Sequence, residues 1–395
     1  MRKIEADVAI IGGGIVGLSI AREMRKRNRK VVVLERGGMG EEASGLNGGG
    51  VRQQGRLLPE IPLALAAVEM WKTLDTELGR PTGYRRNGHL YLGESDADMD
   101  KLAKMREAEM KLGLESEIVE GKALKELAPA LVDGLPGAKY CATDGSAIPL
   151  QASKAIGAAA VEAGAIVLEN EEVVAVPLSN HKVCGIMSRN TFVEAPVVIN
   201  AAGPWAPFVG EKVGVYIPIY PSRSIMMMSA PFPVKVADPF VQTASMAMAV
   251  CQLPDGSVRM GAGAAANDIG RFTYSKEVRN PPFEQAKPRG KALEMFPVLK
   301  DVKIARRWAG IRECTPDMMP IIGWASEKVE SPEGFFIAAG FSGHGFCLGP
   351  VAGRLITEWL VDGKPSIDLS AFSHERFLRP QGPLTVVEVR PEQTG

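Results

Sequence analysis

Short apolar runs and helical stretches alternate along the first part of the chain. Residues 7–11 form an apolar run that predicts a buried strand, and residues 15–27 carry apolar side chains on one helical face. A second apolar run, Val31–Leu34, predicts another buried strand, which ends at Glu35. Strand, helix and strand together have the length of a βαβ unit, about 30 residues.

The rest of the chain continues this alternation. Amphipathic patterns predict further helices over residues 62–78, 97–112, 152–163, 289–296 and 350–361. Short strands are predicted over residues 84–95, 167–176, 183–187, 191–193, 197–200 and 335–339, and a β-rich region with many prolines and methionines over 218–263. The pattern predicts a mixed α/β fold.

Charge and size narrow the possible functions. The chain has 395 residues, of which 46% are hydrophobic, so it can bury a large core. The 46 basic and 46 acidic residues balance, which removes any long-range attraction to nucleic acid or to an anionic membrane. No apolar run reaches the roughly 18 residues of a membrane span. Glu5 and Asp7 interrupt the basic start, so we expect this segment to be part of the mature structure.

Cysteine and histidine are few and scattered. The five cysteines form no CxxC pair, which is typical of reduced thiols and a cytoplasmic protein rather than of structural zinc. The four histidines also lie far apart, so we expect no metal site.

Glycines at the first predicted turn carry the clearest chemistry. Gly12, Gly14 and Gly17 form a GxGxxG motif between strand and helix, where free N–H groups and the helix dipole attract a pyrophosphate. Glu35 ends the next strand and can accept hydrogen bonds from the ribose hydroxyls of an adenosine, which disfavours a 2′-phosphate. The alternative is a tight turn that binds no ligand.

Two later glycine turns repeat this arrangement. The first is AAGPW, residues 201–205, and the second is GFSGHGFCLGP, residues 340–350. The second turn precedes a helix that we expect to begin near residues 348–350, with Pro350 close to its start. Its N-terminus could stabilise negative charge on a reduced flavin. His344 could contact that flavin or cap the turn, and the sequence leaves both roles open.

Five blocks, in this order, resemble the FAD-dependent amino acid oxidoreductases, the family of glycine and sarcosine oxidases, D-amino acid oxidases and dehydrogenases, and hydroxyproline or opine dehydrogenase subunits. The blocks are GGGIVGLSIA with Glu35 and Arg36, ASGLNGGGVRQQG, NAAGPWA, WAGIRECTPDMMPIIG and FIAAGFSGHGFCLGPVAGRLITEWL. They cover nearly the whole chain. The resemblance implies a Rossmann-like FAD-binding domain with an inserted antiparallel β-sheet domain that binds the substrate.

The expected domains are discontinuous, because nucleotide-binding motifs occur at both ends of the chain. We assign residues 1–83, 145–215 and 305–379 to the FAD-binding domain. Residues 84–144 and 216–304 form the substrate domain, and residues 380–395 form a tail.

The resemblance also implies how FAD is bound. Gly12, Gly14 and Gly17 would face the pyrophosphate, Glu35 the ribose, and Arg36 and Val173 the adenine. The remaining expected FAD contacts are Ile15, Val16, Ala43, Ser44, Asn47, Gly48, Gly49, Gly50, Val51, Ala202, Gly203, Trp205, Gly310, Arg312, Gly343, His344, Gly345, Phe346, Cys347 and Leu348.

Arg312 is the sharpest substrate candidate. It stands in WAGIRE, which resembles WAGLRP of glycine oxidase, where the arginine binds the substrate carboxylate; a guanidinium can do so with two parallel hydrogen bonds. The alternative is a structural pairing of Arg312 with Glu313 or Asp317. Arg312 and His344 are the expected catalytic residues, and the expected substrate contacts beside Arg312 are Arg52, Gln53, Arg223 and Met228.

Several of these side chains have a second interpretation. Arg52, Gln53 and Gln54 point into the site or only solvate a loop, and the methionines at 226–228 line the pocket or belong to the core.

In sarcosine oxidases a cysteine near Cys314 bonds to FAD, but Cys314 is displaced by several positions, so we expect non-covalent FAD. Those oxidases have, at the position of Cys347, a lysine that helps to bind the substrate carboxylate. Because this chain lacks that lysine, we expect Arg312 to bind the carboxylate.

The implied reaction is oxidation of the Cα–N bond of an amino acid, by hydride transfer to flavin N5 that gives an imine. The electron acceptor is a quinone, a partner subunit or O₂, and the glycine-rich blocks resemble the dehydrogenase and multi-subunit branch more than the monomeric oxidases. The rivals are an oxidase that produces H₂O₂, a flavoprotein subunit active only in a hetero-oligomer, and an NAD-linked dehydrogenase. We expect a cytoplasmic protein, possible homo- or hetero-oligomers, and peripheral membrane association only through the acceptor.

Overall fold

The computed structural model describes residues 1–245, 248–263, 287–325 and 331–378. Its helices are α1 (Ile15–Lys26), α2 (Ala43–Leu46), α3 (Ile61–Leu78), α4 (Asp96–Met110), α5 (Gly121–Leu127), α6 (Pro149–Glu162), α7 (Ala206–Glu211), α8 (Lys287–Met295) and α9 (Gly345–Asp362). Within these ranges no helix has the length and apolar character needed to cross a lipid bilayer.

The strands come in short segments along the whole chain. They are β1 (Arg2–Glu5), β2 (Val8–Ile11), β3 (Val31–Leu34), β4 (Gly50–Val51), β5 (His89–Gly93), β6 (Glu117–Val119), β7 (Gly137–Cys141), β8 (Gly145–Ser146), β9 (Ile166–Leu168), β10 (Leu178–Ser179), β11 (Lys182–Val183), β12 (Gly185–Met187), β13 (Thr191–Glu194), β14 (Val197–Asn200), β15 (Tyr220–Ser229), β16 (Phe240–Thr243), β17 (Ala249–Gln252), β18 (Val258–Gly263), β19 (Ile304–Cys314), β20 (Ile321–Trp324) and β21 (Phe335–Ala339).

A six-stranded sheet unites the two ends of the chain. Its order is β20-β21-β14-β2-β3-β9, and all neighbours are parallel except β20 and β21. Every residue of β2 and β3 is buried, which explains their continuous apolar sequences. Alternate side chains pack on opposite faces: Val8 and Ile10 face a core with α1, α6 and α9, whereas Ala9 and Ile11 face a second core with β12 and β13.

Small residues let α1 and α9 lie close together. A Cβ added at Gly353 would lie 2.6 Å from the carbonyl carbon of Ser19, and one at Gly349 would lie 3.0 Å from Ile15. Any larger side chain at Gly353 would therefore push the helices apart. This contact fixes the C-terminal helix against the first glycine turn.

The second large sheet has eight strands in the order β19-β15-β18-β17-β16-β5-β7-β6. Its pairs are antiparallel except β16 and β5. One face packs Leu90, Val241 and Met260 into a third core. The other face turns toward the glycine-rich segments described below.

The α/β fold class is confirmed, and the structure differs from the predictions at the ends of several elements. The strand predicted over residues 84–95 is shortened to β5, and β9 covers only the first part of the region 167–176. The last helix begins at Gly345 and not near residues 348–350 as predicted. Pro350 therefore lies inside α9 and not in its first turn. A proline there leaves one intrahelical hydrogen bond unmade without ending the helix.

The division into domains stays a prediction, with one strand placed differently. β19 falls in the range assigned to the FAD-binding domain, but it pairs along its length with β15 in the eight-stranded sheet. The predicted tail, residues 380–395, and part of the predicted substrate domain, residues 264–286, lie outside the described residues.

Candidate cofactor and substrate site

Two adjoining cavities lie between the six-stranded and eight-stranded sheets. The first, which we call the turn cavity, has a volume of about 120 Å³ and borders the first glycine turn. The second, which we call the sheet cavity, has a volume of about 210 Å³ and borders the eight-stranded sheet. Both are lined by Val16, Ala43, Ser44 and Glu313, so the two cavities meet at these residues.

The first glycine turn forms one wall of the turn cavity. Gly12 has φ +108°, and a Cβ there would lie 2.4 Å from the carbonyl oxygen of Ala201, so only glycine fits. Gly14 caps α1 and also lines the cavity. Gly17, which was expected to face the ligand, lies against the Gly12 carbonyl, 2.1 Å from an added Cβ, and serves helix–strand packing instead.

The start of α1 is suited to an anion. Its first turn contains no acidic residue, and the N–H group of Ile15 donates a 2.9 Å hydrogen bond to Ser44 Oγ. The helix dipole favours negative charge at this end. This turn therefore fits a phosphate-bearing cofactor.

Glu35 closes the far side of the turn cavity. Its Oε2 accepts a hydrogen bond from Gly13 N–H at 2.6 Å, and its Oε1 accepts one from Gly37 N–H at 2.7 Å. Burial raises the pKa of Glu35, although both backbone donors act against this rise. The guanidinium of Arg36 stacks 3.5 Å from the ring centre of Trp205. This wall is completed by Val173, Ala202 and Gly203, which line the cavity together with Trp205.

The segment from Ala43 to Gly50 crosses from one cavity to the other. Asn47 fixes its course, because Nδ2 donates to the carbonyls of Ala43 and Ser44 while Oδ1 accepts from Gly49 N–H at 2.7 Å. Gly49 has φ +74°, and a Cβ there would lie 2.4 Å from the carbonyl oxygen of Ala147.

The flanking glycines of this segment also lie against the sheet. Gly48 and Gly50 face the ring of Phe240 and line the sheet cavity. Val51 does not line it, because it is buried and paired with Gly145.

The turn before α9 forms the opposite wall of the sheet cavity. Gly343, Gly345 and Phe346 line it, as expected. Cys347 and Leu348 are buried behind this wall, and the Cys347 carbonyl accepts a 2.9 Å hydrogen bond from Trp71 Nε1–H.

His344 is buried and does not line either cavity. Its Nδ1 lies 2.8 Å from Glu60 Oε1, and its side chain makes no capping hydrogen bond to α9. Burial and the charge of Arg56 lower the pKa of His344, although Glu60 acts in the opposite direction. The imidazole is therefore neutral near pH 7 and holds the carboxylate of Glu60.

Arg312 points from β19 into the sheet cavity. Its Nη2 donates a 3.2 Å hydrogen bond to Ser222 Oγ, and its Nε is buried with no partner in the part of the chain that the structure describes. The alternative pairing with an acid is not found: Asp317 pairs with Arg376, and Glu313 accepts a hydrogen bond from Phe341 N–H. Gly310 of the same strand also lines the cavity, against Leu46.

The other predicted substrate contacts divide into two groups. Arg52 lines the sheet cavity, with Nη1 donating to the carbonyls of Gln54 and Gly55. Gln53 points away, donating a 2.6 Å hydrogen bond to Thr143 Oγ1.

On β15 the residues that line the cavity alternate along one face of the strand, and neither expected substrate contact is among them. Met226 and Ser224 line the cavity, whereas Met228 and Arg223 are not among its lining residues. Met226 reaches over Gly261, where an added Cβ would meet its sulfur.

Sequence reasoning missed Arg56 and Glu313 in the cavity wall. Arg56 is buried. Its Nε and Nη2 donate to the Arg52 carbonyl, and no described residue accepts a hydrogen bond from its Nη1. The RQQGR spacing, two arginines four apart after a glycine run, was the available signal. Glu313 was considered only as a partner for Arg312, and nothing in the pattern showed that its Oε2 lacks one.

Known proteins resemble this chain over nearly its whole length. The sequence profile of the family described as FAD dependent oxidoreductase matches residues 7–359. The chain is 29% identical over 382 residues to glycine oxidase of Geobacillus kaustophilus, covering 94% of this chain and 97% of that protein. It is 27% identical over 397 residues to human mitochondrial sarcosine dehydrogenase, covering 94% of this chain and 41% of that protein.

A solved structure shows the same fold over almost the whole length. L-proline dehydrogenase from P. horikoshii superposes with a TM-score of 0.88 at 29% identity, covering 96% of this chain and 99% of that one. The chain thus spans nearly all of some relatives and less than half of the mitochondrial ones. The match over most of the sequence and the shared fold establish that the chain belongs to the FAD dependent oxidoreductase family, and FAD is its cofactor.

Proposed function

We propose that the protein oxidises the Cα–N bond of a small amino acid, with a primary or secondary amine such as glycine, sarcosine, proline, hydroxyproline or a D-amino acid. The observation that carries this proposal is the group of three guanidinium groups, Arg52, Arg56 and Arg312, in the wall of one cavity. The buried Arg52 and Arg56 together with the partly buried Arg312 favour an anionic ligand, and a carboxylate matches guanidinium geometry.

FAD fits the two cavities in this proposal. Gly12, Gly14 and the start of α1 hold the diphosphate, Glu35 and Trp205 hold the adenosine, and the glycine segment after Asn47 holds the flavin end. When bound, FAD supplies the acceptor for a hydride from Cα. Cys314, the last residue of the strand that carries Arg312, is buried and lines neither cavity, so we expect non-covalent attachment and release of yellow cofactor by acid.

Arg312 orients the substrate in this account. It binds the carboxylate through the donors not used by Ser222, and so fixes the Cα–H bond relative to the cofactor. The positive charges of Arg52 and Arg56 stabilise the negatively charged carboxylate in the same cavity.

No conventional base is needed for this step. Among the residues that the structure describes, the ionisable ones that line the sheet cavity are Arg52, Arg56, Arg312 and Glu313. The amine therefore enters uncharged, and the chain's task is to select that form and exclude water. Oxidation gives an imine. Water hydrolyses an open-chain imine to an oxo acid and an amine or ammonia, and it opens the cyclic imine of proline or hydroxyproline to a single amino-oxo acid.

The names of the relatives support an amine substrate. Glycine oxidase, sarcosine dehydrogenase and L-proline dehydrogenase all act on amino acids by their names. Met226 and Phe240 add apolar lining to the cavity that holds the arginines, and a small side chain or N-substituent would pack against it.

The test is a substrate panel with two acceptors. Glycine, sarcosine, proline, hydroxyproline, and D- and L-amino acids are incubated with the enzyme, first with a redox dye and then with O₂ alone. Dye reduction without peroxide indicates a dehydrogenase, and one peroxide per amino acid oxidised indicates an oxidase. If neither acceptor is reduced with any amino acid, the proposal fails.

A second form of the proposal is a subunit that is active only with partners. It is supported by the name of one relative, the mouse pyruvate dehydrogenase phosphatase regulatory subunit, which this chain matches at 28% identity over 45% of its length. Turnover by the chain after size-exclusion chromatography would rule out this form.

A further inference from the structure

Glu313 holds an unused oxygen at the junction of the two cavities. Its Oε1 accepts a 3.2 Å hydrogen bond from Phe341 N–H. Its Oε2 is buried and has no hydrogen-bond partner among the described residues, and a Cβ added at Gly203 would lie 2.9 Å from it. A buried oxygen without a partner is costly unless a ligand supplies one.

The position of Glu313 identifies that ligand group. In the described part of the chain, Val16, Ala43, Ser44 and Glu313 line both cavities, and Glu313 is the ionisable one of these four. A dinucleotide that fills both cavities must pass this junction with its middle segment. In FAD that segment is the diphosphate, whose oxygens accept hydrogen bonds, and the ribityl chain, whose hydroxyl groups accept and donate them.

The protonation state of Glu313 decides whether this contact is favourable. An ionised carboxylate would have no donor and would repel a diphosphate, whereas a carboxylic acid can donate one hydrogen bond. Burial raises the pKa of Glu313 to about 7, against the effect of the Phe341 and Gly340 N–H groups. The proton is therefore available near neutral pH at little cost.

We propose that Glu313 is protonated in the holoenzyme and donates a hydrogen bond from Oε2 to an acceptor oxygen of the ribityl–diphosphate segment of FAD, so that FAD binds with uptake of one proton. The inference depends on FAD as the cofactor and not on the identity of the substrate. Glu313 is in this role a positioning residue for the cofactor.

Other ionisable groups surround Glu313 and must be separated from it. They are Arg312 and Cys314 on its own strand, Tyr220 on β15, His344 in the turn before α9, Glu35, Arg36, Glu42, Glu172 and Lys212 around the turn cavity, and Arg52 and Arg56 around the sheet cavity. The variant Glu313→Gln keeps all of these groups and the size of the side chain. The difference between wild type and Glu313→Gln therefore isolates the Glu313 proton.

The direct test is proton uptake on binding of FAD to the apoprotein. Calorimetric titrations at pH 6 and pH 8, each in two buffers with different ionisation enthalpies, give the number of protons bound per FAD. We expect close to one proton at pH 8 and much less at pH 6 for the wild type, and close to none at either pH for Glu313→Gln. The wild-type Kd for FAD should rise by up to about tenfold per pH unit above pH 7, and that of Glu313→Gln should stay flat.

Infrared spectroscopy of the holoenzyme gives an independent measurement. The spectrum of the wild type at pH 8 should contain a protonated-carboxyl C=O band that is missing from Glu313→Gln. Because this measurement needs no apoprotein, it keeps the proposal testable if FAD removal unfolds the chain.

Titration with ADP distinguishes the two acceptors. Proton uptake with ADP assigns the hydrogen bond to the diphosphate, and uptake with FAD alone assigns it to the ribityl chain. The proposal is overturned if Glu313→Gln takes up as many protons as the wild type, if the wild type takes up none at pH 8, or if FAD binding releases a proton. The last result would mean that an ionised Glu313 accepts a hydrogen bond from a ribityl hydroxyl.

Discussion

His344 Nδ1 lies 2.8 Å from Glu60 Oε1, and this contact joins the turn before α9 to the start of α3. Burial opposes ionisation of Glu60, but His344 and Arg56 outweigh it and hold the pKa of Glu60 below its usual value. The pair thus places a buried negative charge behind the arginines of the sheet cavity. We expect it to fix the loop that carries Arg56.

Removal of the imidazole should destabilise the protein strongly. His344→Ala leaves the Glu60 carboxylate buried without its N–H donor, and we expect a loss of about 3–5 kcal/mol in the free energy of unfolding. Glu60→Gln, which keeps an acceptor for the imidazole, should lose less. Urea unfolding at a fixed FAD concentration measures both, and a loss below about 1 kcal/mol for His344→Ala would show that the pair is not important.

Two glycines with the same backbone conformation should respond differently to alanine. Gly49 and Gly79 have φ +74° and +61°, but an added Cβ at Gly49 meets Ala147 and Arg259, while one at Gly79 meets nothing within 4 Å. Gly79→Ala should cost about 1 kcal/mol of stability and keep normal FAD affinity. Gly49→Ala should shift the flavin-side loop and weaken FAD binding by about tenfold or more, measured by flavin fluorescence. Equal FAD affinities would remove Gly49 from the cofactor wall.

Arg312 should control substrate binding. Arg312→Ala should raise KM for the amino acid by about 30-fold or more, because a desolvated carboxylate loses its charged partner. The matched control is Arg306→Ala, on the same strand but exposed to solvent, which should leave KM unchanged. Steady-state kinetics with the best substrate of the panel give both values. An unchanged KM for Arg312→Ala would assign the carboxylate to another group.

His89 should make the protein sensitive to acid. Burial lowers the pKa of His89 from 6.5 to about 4, with Asp144 acting against this shift. The unfolded chain therefore binds the proton first, and stability falls as the pH drops from about 6.5 toward 4. At pH 4.5 protonation of His89 in the unfolded chain lowers the free energy of unfolding by about 2.5 kcal/mol.

The measurement compares urea unfolding at pH 7 and pH 4.5 for the wild type and His89→Gln. The wild type should lose about 2.5 kcal/mol more than the variant. His181→Gln, at an exposed position, serves as the control and should behave like the wild type. Identical pH dependence of wild type and His89→Gln would contradict the buried neutral imidazole.

The sequence predicted the parts of the site that depend on local pattern. The strand–turn–helix around Gly12 and Gly14 and the acid at Glu35 are set by spacing along the chain, and the structure brings them to one cavity. The start of α9 was predicted too late because Pro350 was assigned to the first turn of the helix. In the structure, helical hydrogen bonds begin earlier, with Leu348 N–H donating to the His344 carbonyl.

The residues that the pattern did not reveal depend on contacts between distant segments. Arg56 becomes a cavity residue only because α9 and its turn pack against the loop that follows the glycine block. Met226 lines the cavity in place of Met228 because the register of β15 with β18 brings it over Gly261. Neither the register nor the pairing of Glu60 with His344, 284 residues apart, is written in a local periodicity.

The central claim is that an amino acid delivers its electrons to FAD in this site. The most direct measurement is anaerobic mixing of the purified yellow protein with each amino acid of the panel while the flavin absorbance is recorded. The account predicts that at least one of glycine, sarcosine, proline, hydroxyproline or a D-amino acid bleaches the flavin, and that Arg312→Ala requires a much higher concentration of it. A spectrum that no amino acid changes, while dithionite still bleaches it, would contradict the account.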